Sequence, residues 1–308
     1  MRRTATCFLV GLLLLAGATA SAQTADDWQS LRAVYDYDAE APLEISAGQV
    51  RDLGAFRVEE LTFAGAGGER VPAVVMRPTE VQEPPVVLFL HGLGGDKGQA
   101  RLVAMLLAPQ GVAVVAIDAA LHGDRAVEGP GIGRQLAADP QALVRTVIDN
   151  RRAIDYIHIR GDLDADRLVL VGASMGAILG SIVAAVDERI DAAALLVGGG
   201  GWTTILESSE HPAAAALRDA GLSRDRSLGQ MDPVHFVGHI SPRPVLMVNG
   251  TQDRVIPPQA AEALHEAARQ PKEVLWYEGG HVGMPPETLQ RVVEWIATRL
   301  ALVEAPTN

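Results

Sequence analysis

Cysteine is almost missing from this chain of 308 residues, and the single one, Cys7, sits in the first few positions, so the remainder must fold without a disulfide. Aromatic residues make up only 4%, which leaves no obvious stacking platform for a sugar. Positive charge is also short: 26 Lys and Arg face 38 Asp and Glu, for a formal net charge of −12. That balance makes nucleic acid and an anionic membrane surface poor partners. His-Glu-x-x-His and paired cysteines are both lacking, and His122 and Asp124 have no third ligand at metal spacing, so no metal is expected. The glycine-rich stretch 65–68 joins two extended segments and leads into no lysine-serine helix, so no nucleotide cofactor is expected either.

At the start, Arg2 and Arg3 precede an apolar run over 8–16 and then Ala20-Ser21-Ala22 before Gln23. This is the pattern of a secretory signal peptide over 1–22, cleaved after Ala22, with an apolar core too short to span a bilayer. Cys7 is not preceded by a lipoprotein-type box, so the expected product is periplasmic or secreted and carries no stable membrane anchor. Loss of the leader removes two arginines and no acid, which deepens the negative charge.

A polar, acidic extension over 23–55 is followed by extended segments at 56–63 and 71–77, which predict an antiparallel hairpin. Near-continuous apolar runs at 86–90, 112–117, 168–171 and 192–197 fit parallel strands buried on both faces. Helical stretches at 99–107, 142–157 and 177–186 alternate with them, giving an α/β, mostly parallel, doubly wound sheet within a domain over 56–304. Two further strands, 245–249 and 273–277, and an amphipathic helix over 287–302 complete the pattern. The stretch 202–241 breaks the rhythm with prolines at 212 and 233 and one short helix around 213–220. It reads as a small cap-like insertion after the sixth of these strands, at the sheet edge where ligands bind in open α/β folds.

Gly172-Ala173-Ser174-Met175-Gly176 lies between the run 168–171 and the small-residue helix, so Ser174 sits at a sharp strand-to-helix turn that projects a hydroxyl above the sheet. An activated serine needs a base, a group to orient that base, and amide donors for a developing oxyanion. Asp253 follows the strand 245–249, His281 follows the strand 273–277, and the order Ser, Asp, His suits this architecture. Asp253 also fits a turn acid that caps the helix starting near Pro258. His122 is the rival base, although it lies after the strand 112–117, and His158, His235, His239 and His265 read as pairing or surface histidines. The loop His91-Gly92-Leu93-Gly94-Gly95 offers the Leu93 amide, to act with that of Met175 as an oxyanion hole, with His91 orienting the loop.

These motifs, together with Asp118 to Arg125, Asp232-Pro233 and Pro242-Arg243-Pro244, resemble the α/β-hydrolases over about 56–303. Within them the chain is similar to serine esterases of the dienelactone-hydrolase-like and acetyl-esterase-like bacterial branches. Dienelactone hydrolases use a cysteine where this chain has Ser174, so lactone specificity is not carried over. The resemblance implies an α/β-hydrolase fold and an exported serine carboxylesterase that takes small to medium carboxylic esters through Ser174, His281 and Asp253, with no cofactor. A peptidase or acyltransferase on the same triad, or a noncatalytic binding protein, are the alternatives. The sequence leaves the oligomeric state open.

Overall fold

The apolar runs at 86–90, 112–117, 168–171 and 192–197 each form a strand in the computed structural model, which describes residues 27–301 apart from 66 and 225. The expected signal peptide, and the residues from 302 on, lie outside the described residues. Residues up to Asp36 form a small unit of their own, helical over 27–33 in its described part. The unit beginning at Tyr37 carries the sheet.

Its strands are β1 (Ser46–Asp52), β2 (Phe56–Ala64), β3 (Arg70–Pro78), β4 (Pro85–Leu90), β5 (Ala113–Ile117), β6 (Asp164–Ala173), β7 (Ala192–Leu196), β8 (Val245–Gly250) and β9 (Lys272–Tyr277). They run in the order β1-β2-β3-β5-β4-β6-β7-β8-β9. β1, β2 and β3 pair antiparallel, as do β3 and β5, and the pairings from β5 through β4 to β9 are parallel. β4, β5 and the inner part of β6 are buried on both faces, which is why they read as continuous apolar runs.

Helices cover the two faces. Ala100, Ala104 and Leu107 of α1 (Ala100–Leu107), with Val292, Trp295 and Ile296 of the last helix, pack on Val87, Phe89, Val169 and Val171. The alternate strand residues, such as Leu168 and Leu170, point the other way, toward α3 (Gln141–Ile159) and α4 (Met175–Val186). Gly180 of α4 rides directly on Leu170, where an added Cβ would come within 2.7 Å of the leucine methyl. Between β5 and α3 lies α2 (Ile132–Ala138), a helix not expected from the sequence.

The extension 23–55 is corrected in one respect: its part Ser46–Asp52 is β1, the edge strand of the sheet. All seven residues of β1 are exposed, so it carries no inward-outward alternation to betray it. The approach to β1 is clamped by Arg152 of α3, which is buried and donates to the carbonyls of Ala41, Pro42 and Ala64. With β1 counted, the insertion 202–241 falls after the seventh strand, β7. It is more helical than expected, with α5 (Trp202–Ser208), α6 (Pro212–Asp219) and α7 (Arg226–Gln230), followed by single turns at Pro233–His235 and Val237–His239. The chain closes with α8 (Pro258–Ala267), β9 and α9 (Pro286–Arg299).

His265 of α8 ties this half together. Its Nε2–H donates to Asn249 Oδ1 at 2.9 Å, and the Asn249 amide donates to Gly198 O at 2.7 Å. Burial, helped by the nearby Lys272 ammonium, lowers the His265 pKa from 6.5 to about 4. The unfolded chain therefore takes up a proton near pH 6.5 that the folded protein refuses until about pH 4. The stability tied to neutral His265 is full above that window and is lost as pH falls through it. In urea titrations over this range, His265→Gln should lose less stability than the wild type, by on the order of 2 kcal/mol. Parallel losses in the two proteins would place the acid sensitivity elsewhere.

Candidate active site

Ser174 stands between the end of β6 and the first turn of α4 with φ 56° and ψ −117°, a conformation that costs a non-glycine residue about 1–3 kcal/mol. Two glycines make it possible. A Cβ on Gly172 would come within 2.2 Å of Gly176 O, and one on Gly176 within 2.0 Å of Leu90 O, so the elbow is wedged between its own strand and β4 with no room for any side chain. The Ser174 amide donates to Leu196 O at 2.8 Å, which fastens the elbow to β7 on the other side.

The expected partners converge on it. His281 Nε2 lies 2.8 Å from Ser174 Oγ, and His281 Nδ1 lies 2.7 Å from Asp253 Oδ2. Asp253 is buried, and its second oxygen accepts the Val255 and Ile256 amides at 2.8 and 2.9 Å. Oδ1 therefore closes the turn at Val255 and Ile256 without capping α8, and Oδ2 faces the imidazole. Because Oδ1 is fixed by backbone, Oδ2 is presented to His281 at a set angle.

Two loops must approach closely for this to happen. Thr251 N–H donates to Tyr277 O and Gln252 N–H to Gly279 O, both at 2.9 Å. At the end of β8, Gly250 faces this backbone directly, and a Cβ there would meet Gly279 O at 2.5 Å and Gly280 O at 2.7 Å. Tyr277 O–H donates to Gly280 O at 2.7 Å and steadies the turn that carries His281. Burial and the Asp253 carboxylate both raise the Tyr277 pKa, which keeps that donor protonated. Neither Gly250 nor Tyr277 stood out in the sequence; a glycine at a strand's last position, three residues before a candidate acid, was the available signal.

The loop after β4 is held from below. His91 is buried, donates from Nδ1 to Gly92 O at 2.8 Å and accepts the Ala119 amide at Nε2. Burial lowers its pKa, which suits the neutral tautomer these two bonds require. Asp118, fully buried, accepts from both the Lys97 amide and the Lys97 ammonium at 2.8 Å, and from the Asp124 amide at 2.9 Å. Burial pulls the Lys97 pKa down, but its bonds to Asp118 and Asp124 outweigh that and hold it above the ordinary lysine value. Gly92 is thereby set beside Ser174, its Cβ position 3.5 Å from that of the serine.

Leu93, Met175, Ser174 and His281 all line one cleft, of about 930 Å³ counted out to its open mouth. Met175 opens α4, where amides lack an intrahelical partner and the helix dipole is positive. His122 is placed differently: its Nδ1–H donates to Ala120 O at 2.8 Å and its ring lies 5.3 Å from that of His91. It serves the loop after β5 and does not meet Ser174. His158 donates back to Ile154 O of its own helix. Asp232 accepts the Gly201 and Trp202 amides, a pinning of the β7 end that the sequence reading did not foresee. Among the described residues, no group of three or more His, Cys, Asp or Glu side chains is placed to hold a metal ion.

Comparison with known proteins points the same way. The model of the family described as acetyl xylan esterase (AXE1) matches residues 25–198, and that described as serine hydrolase (FSH1) matches 152–291. The protein YtaP of Bacillus subtilis is 25% identical over 255 residues, covering 77% of this chain and 84% of its own length. YfhR of Salmonella typhimurium is 32% identical over 147 residues, which is 44% of this chain and 47% of that protein, so the match spans about half of each. Among solved structures, acetyl xylan esterase from Paenibacillus sp. R4 superposes with a TM-score of 0.73 at 24% identity, over 87% of this chain and 92% of that one. Acetyl xylan esterase 1 from Thermoanaerobacterium sp. JW/SL YS485 also gives 0.73, at 19% identity, over 91% and 94%. At such identities the likeness is one of fold, and the fold is that of the α/β-hydrolases.

The closeness of the β8 and β9 loops can be tested. Gly250→Ala should push the His281 turn away and slow labelling of Ser174 by a fluorophosphonate probe by about 100-fold. Gly161→Ala, where an added Cβ meets nothing within 4 Å, should label at the wild-type rate. Equal rates in the two variants would show that the contact does not position the histidine.

Proposed function

Because this chain belongs to the acetyl xylan esterase family and is a serine hydrolase acting on carboxylic esters, we propose that Ser174, His281 and Asp253 are the triad that performs the reaction. The observation that carries the reading is the unbroken relay from Ser174 Oγ to His281 Nε2 at 2.8 Å and from His281 Nδ1 to Asp253 Oδ2 at 2.7 Å.

Ser174 Oγ attacks the ester carbonyl as His281 Nε2 takes its proton. Asp253 holds the imidazole in the tautomer with hydrogen on Nδ1 and stabilises the imidazolium that forms. Negative charge develops on the carbonyl oxygen, where the amides of Leu93 and Met175 receive it; one such donor is worth about 3–4 kcal/mol. The tetrahedral intermediate collapses as His281 returns its proton to the leaving alcohol, which leaves an acyl group on Ser174. Water, deprotonated by the same histidine, then attacks the acyl carbon, and the acid departs. The strained elbow supports this assignment because it holds the hydroxyl in one place with little freedom left to lose on reaching the transition state.

The family's description names acetylated xylan. For this chain we infer small to medium carboxylic esters, since the cap between β7 and β8 is short and leaves the cleft open at its mouth. We also infer that the protein is exported, on the strength of Arg2 and Arg3, the apolar run over 8–16 and Ala20-Ser21-Ala22.

With p-nitrophenyl acetate, Ser174→Ala should reduce turnover to the solution background. Asp253→Asn should lower kcat by about 10⁴-fold through loss of the correct tautomer. Retained turnover in a folded Ser174→Ala protein would refute the triad. For export, the protein recovered from outside the cytoplasm of a bacterial host should begin at Gln23 on N-terminal sequencing, and recovery with Met1 intact would refute it.

A further inference from the structure

The wall of the cleft beyond Ser174 is hydrocarbon. The cap contributes Ile205 and Leu206 from α5, Leu217 from α6 and Leu228 from α7, and the body contributes Leu136, Leu143 and Ile178 from α2, α3 and α4. Trp202 is the aromatic member, and its Nε1–H donates to Met231 O at 3.1 Å, so its polar atom is already engaged by backbone.

Apart from Ser174 and His281, the side chains lining the cleft that carry N–H or O–H groups on flexible polar positions are Ser209 and His211. Both accept backbone amides in the turn between α5 and α6, bonds that leave one hydroxyl hydrogen and one ring nitrogen to meet a ligand. Ser209 Oγ accepts the His211 amide, and His211 Nδ1 accepts the Ala213 amide, each at 3.1 Å. Among the described residues, no carboxylate, lysine or arginine lines this cleft. The walls are also tied to each other. α2 and α6 touch backbone to backbone, since a Cβ on Gly133 would fall 2.6 Å from Ala213 Cα.

We propose that this cleft selects esters with one extended, unbranched aliphatic limb, and that acetylated sugars are poor substrates for this chain. The proposal rests on the serine esterase reading above and concerns the substrate class of the same site. A sugar brings hydroxyls that need partners, and each one buried against Ile205, Leu206 or Leu217 without a hydrogen bond lowers binding about tenfold or more. A methylene placed against the same side chains raises it about fourfold. Summed along a limb of several carbons, the second effect separates an aliphatic ester from an acetate by orders of magnitude. The side chains of α5 and α6 are therefore specificity-determining, whereas Ser174, His281 and Asp253 are indifferent to the limb.

The test is a comparison of kcat/KM for the full chain over three series. The first is p-nitrophenyl acetate, butyrate, hexanoate and octanoate; the second is the acetates of ethanol, butanol, hexanol and octanol; the third is acetylated xylo-oligosaccharides. The expected result is a rise of about fourfold per methylene in one of the first two series, which also tells whether the acyl or the alcohol limb occupies the cleft. Ile205→Asp and Leu217→Asp should each lower the ratio of the hexyl-length to the shortest substrate about tenfold, and two variants guard against one that fails to fold. A flat profile in both series, an unchanged ratio in both folded variants, or preference for the xylo-oligosaccharides would overturn the proposal. If turnover in those cases is still lost in Ser174→Ala, the esterase reading stands without it. Absence of Ser174-dependent turnover on every ester would overturn the esterase reading and this proposal together.

Discussion

The contact of backbone on backbone around Ser174 is the constraint from which the rest of the site follows. A residue with a side chain does not stay at φ 56° unless its surroundings leave it nowhere else to go. Gly176 lets the first turn of α4 press against Leu90 O, and Gly172 lets the end of β6 press against Gly176 O. The same compression brings the loop after β4 beside the serine, so that loop and Ser174 are positioned by one packing event. The strain is held in place by the sheet, whose strands β4, β6 and β7 flank the elbow with fully buried residues.

Around this centre, buried charge is used to hold loops. Asp118 has no exposed surface and is matched by the Lys97 ammonium and two amides, and Asp149 is matched by Arg125 at 2.7 Å. Such pairs add little net stability, because the desolvation of both ions offsets most of their attraction. What they do is make alternative loop positions expensive, since any shift would strand a charge in a dry interior. Asp253 follows the same logic at the reacting end: a carboxylate fixed by two amides on one oxygen has only the other to offer, and it offers that to His281.

The cap answers to different rules. Its helices are short, and its polar groups are largely engaged in turns and helix ends, as with Asp232 and His211. Its inward faces carry Ile, Leu and Trp toward the cleft. The fold is shared with the acetyl xylan esterases.

Much of this was legible in the sequence where the cause is short-range. Strands buried on both faces show as apolar runs, a strained turn shows as glycine, serine and glycine between a strand and a helix, and Asp253 and His281 show as residues that follow strands. β1 was not legible because its side chains are all exposed and carry no period. Of the cap helices only α6 was legible, and α2, α5 and α7 were not, because helices this short are stabilised by packing more than by propensity. The double use of Asp253, the clearance at Gly250 and the hydrocarbon wall of the cleft also had no local signature. Ser174 and His281 are 107 positions apart, and which loops meet is set by strand order, a property of the assembled sheet. By itself the sequence determined the fold class and which side chains stand at strand ends, because backbone sterics and burial periodicity act over a few residues. Only the tertiary structure decided which of those side chains touch and what surrounds them, because distance and exclusion of water are properties of packed segments remote in the chain.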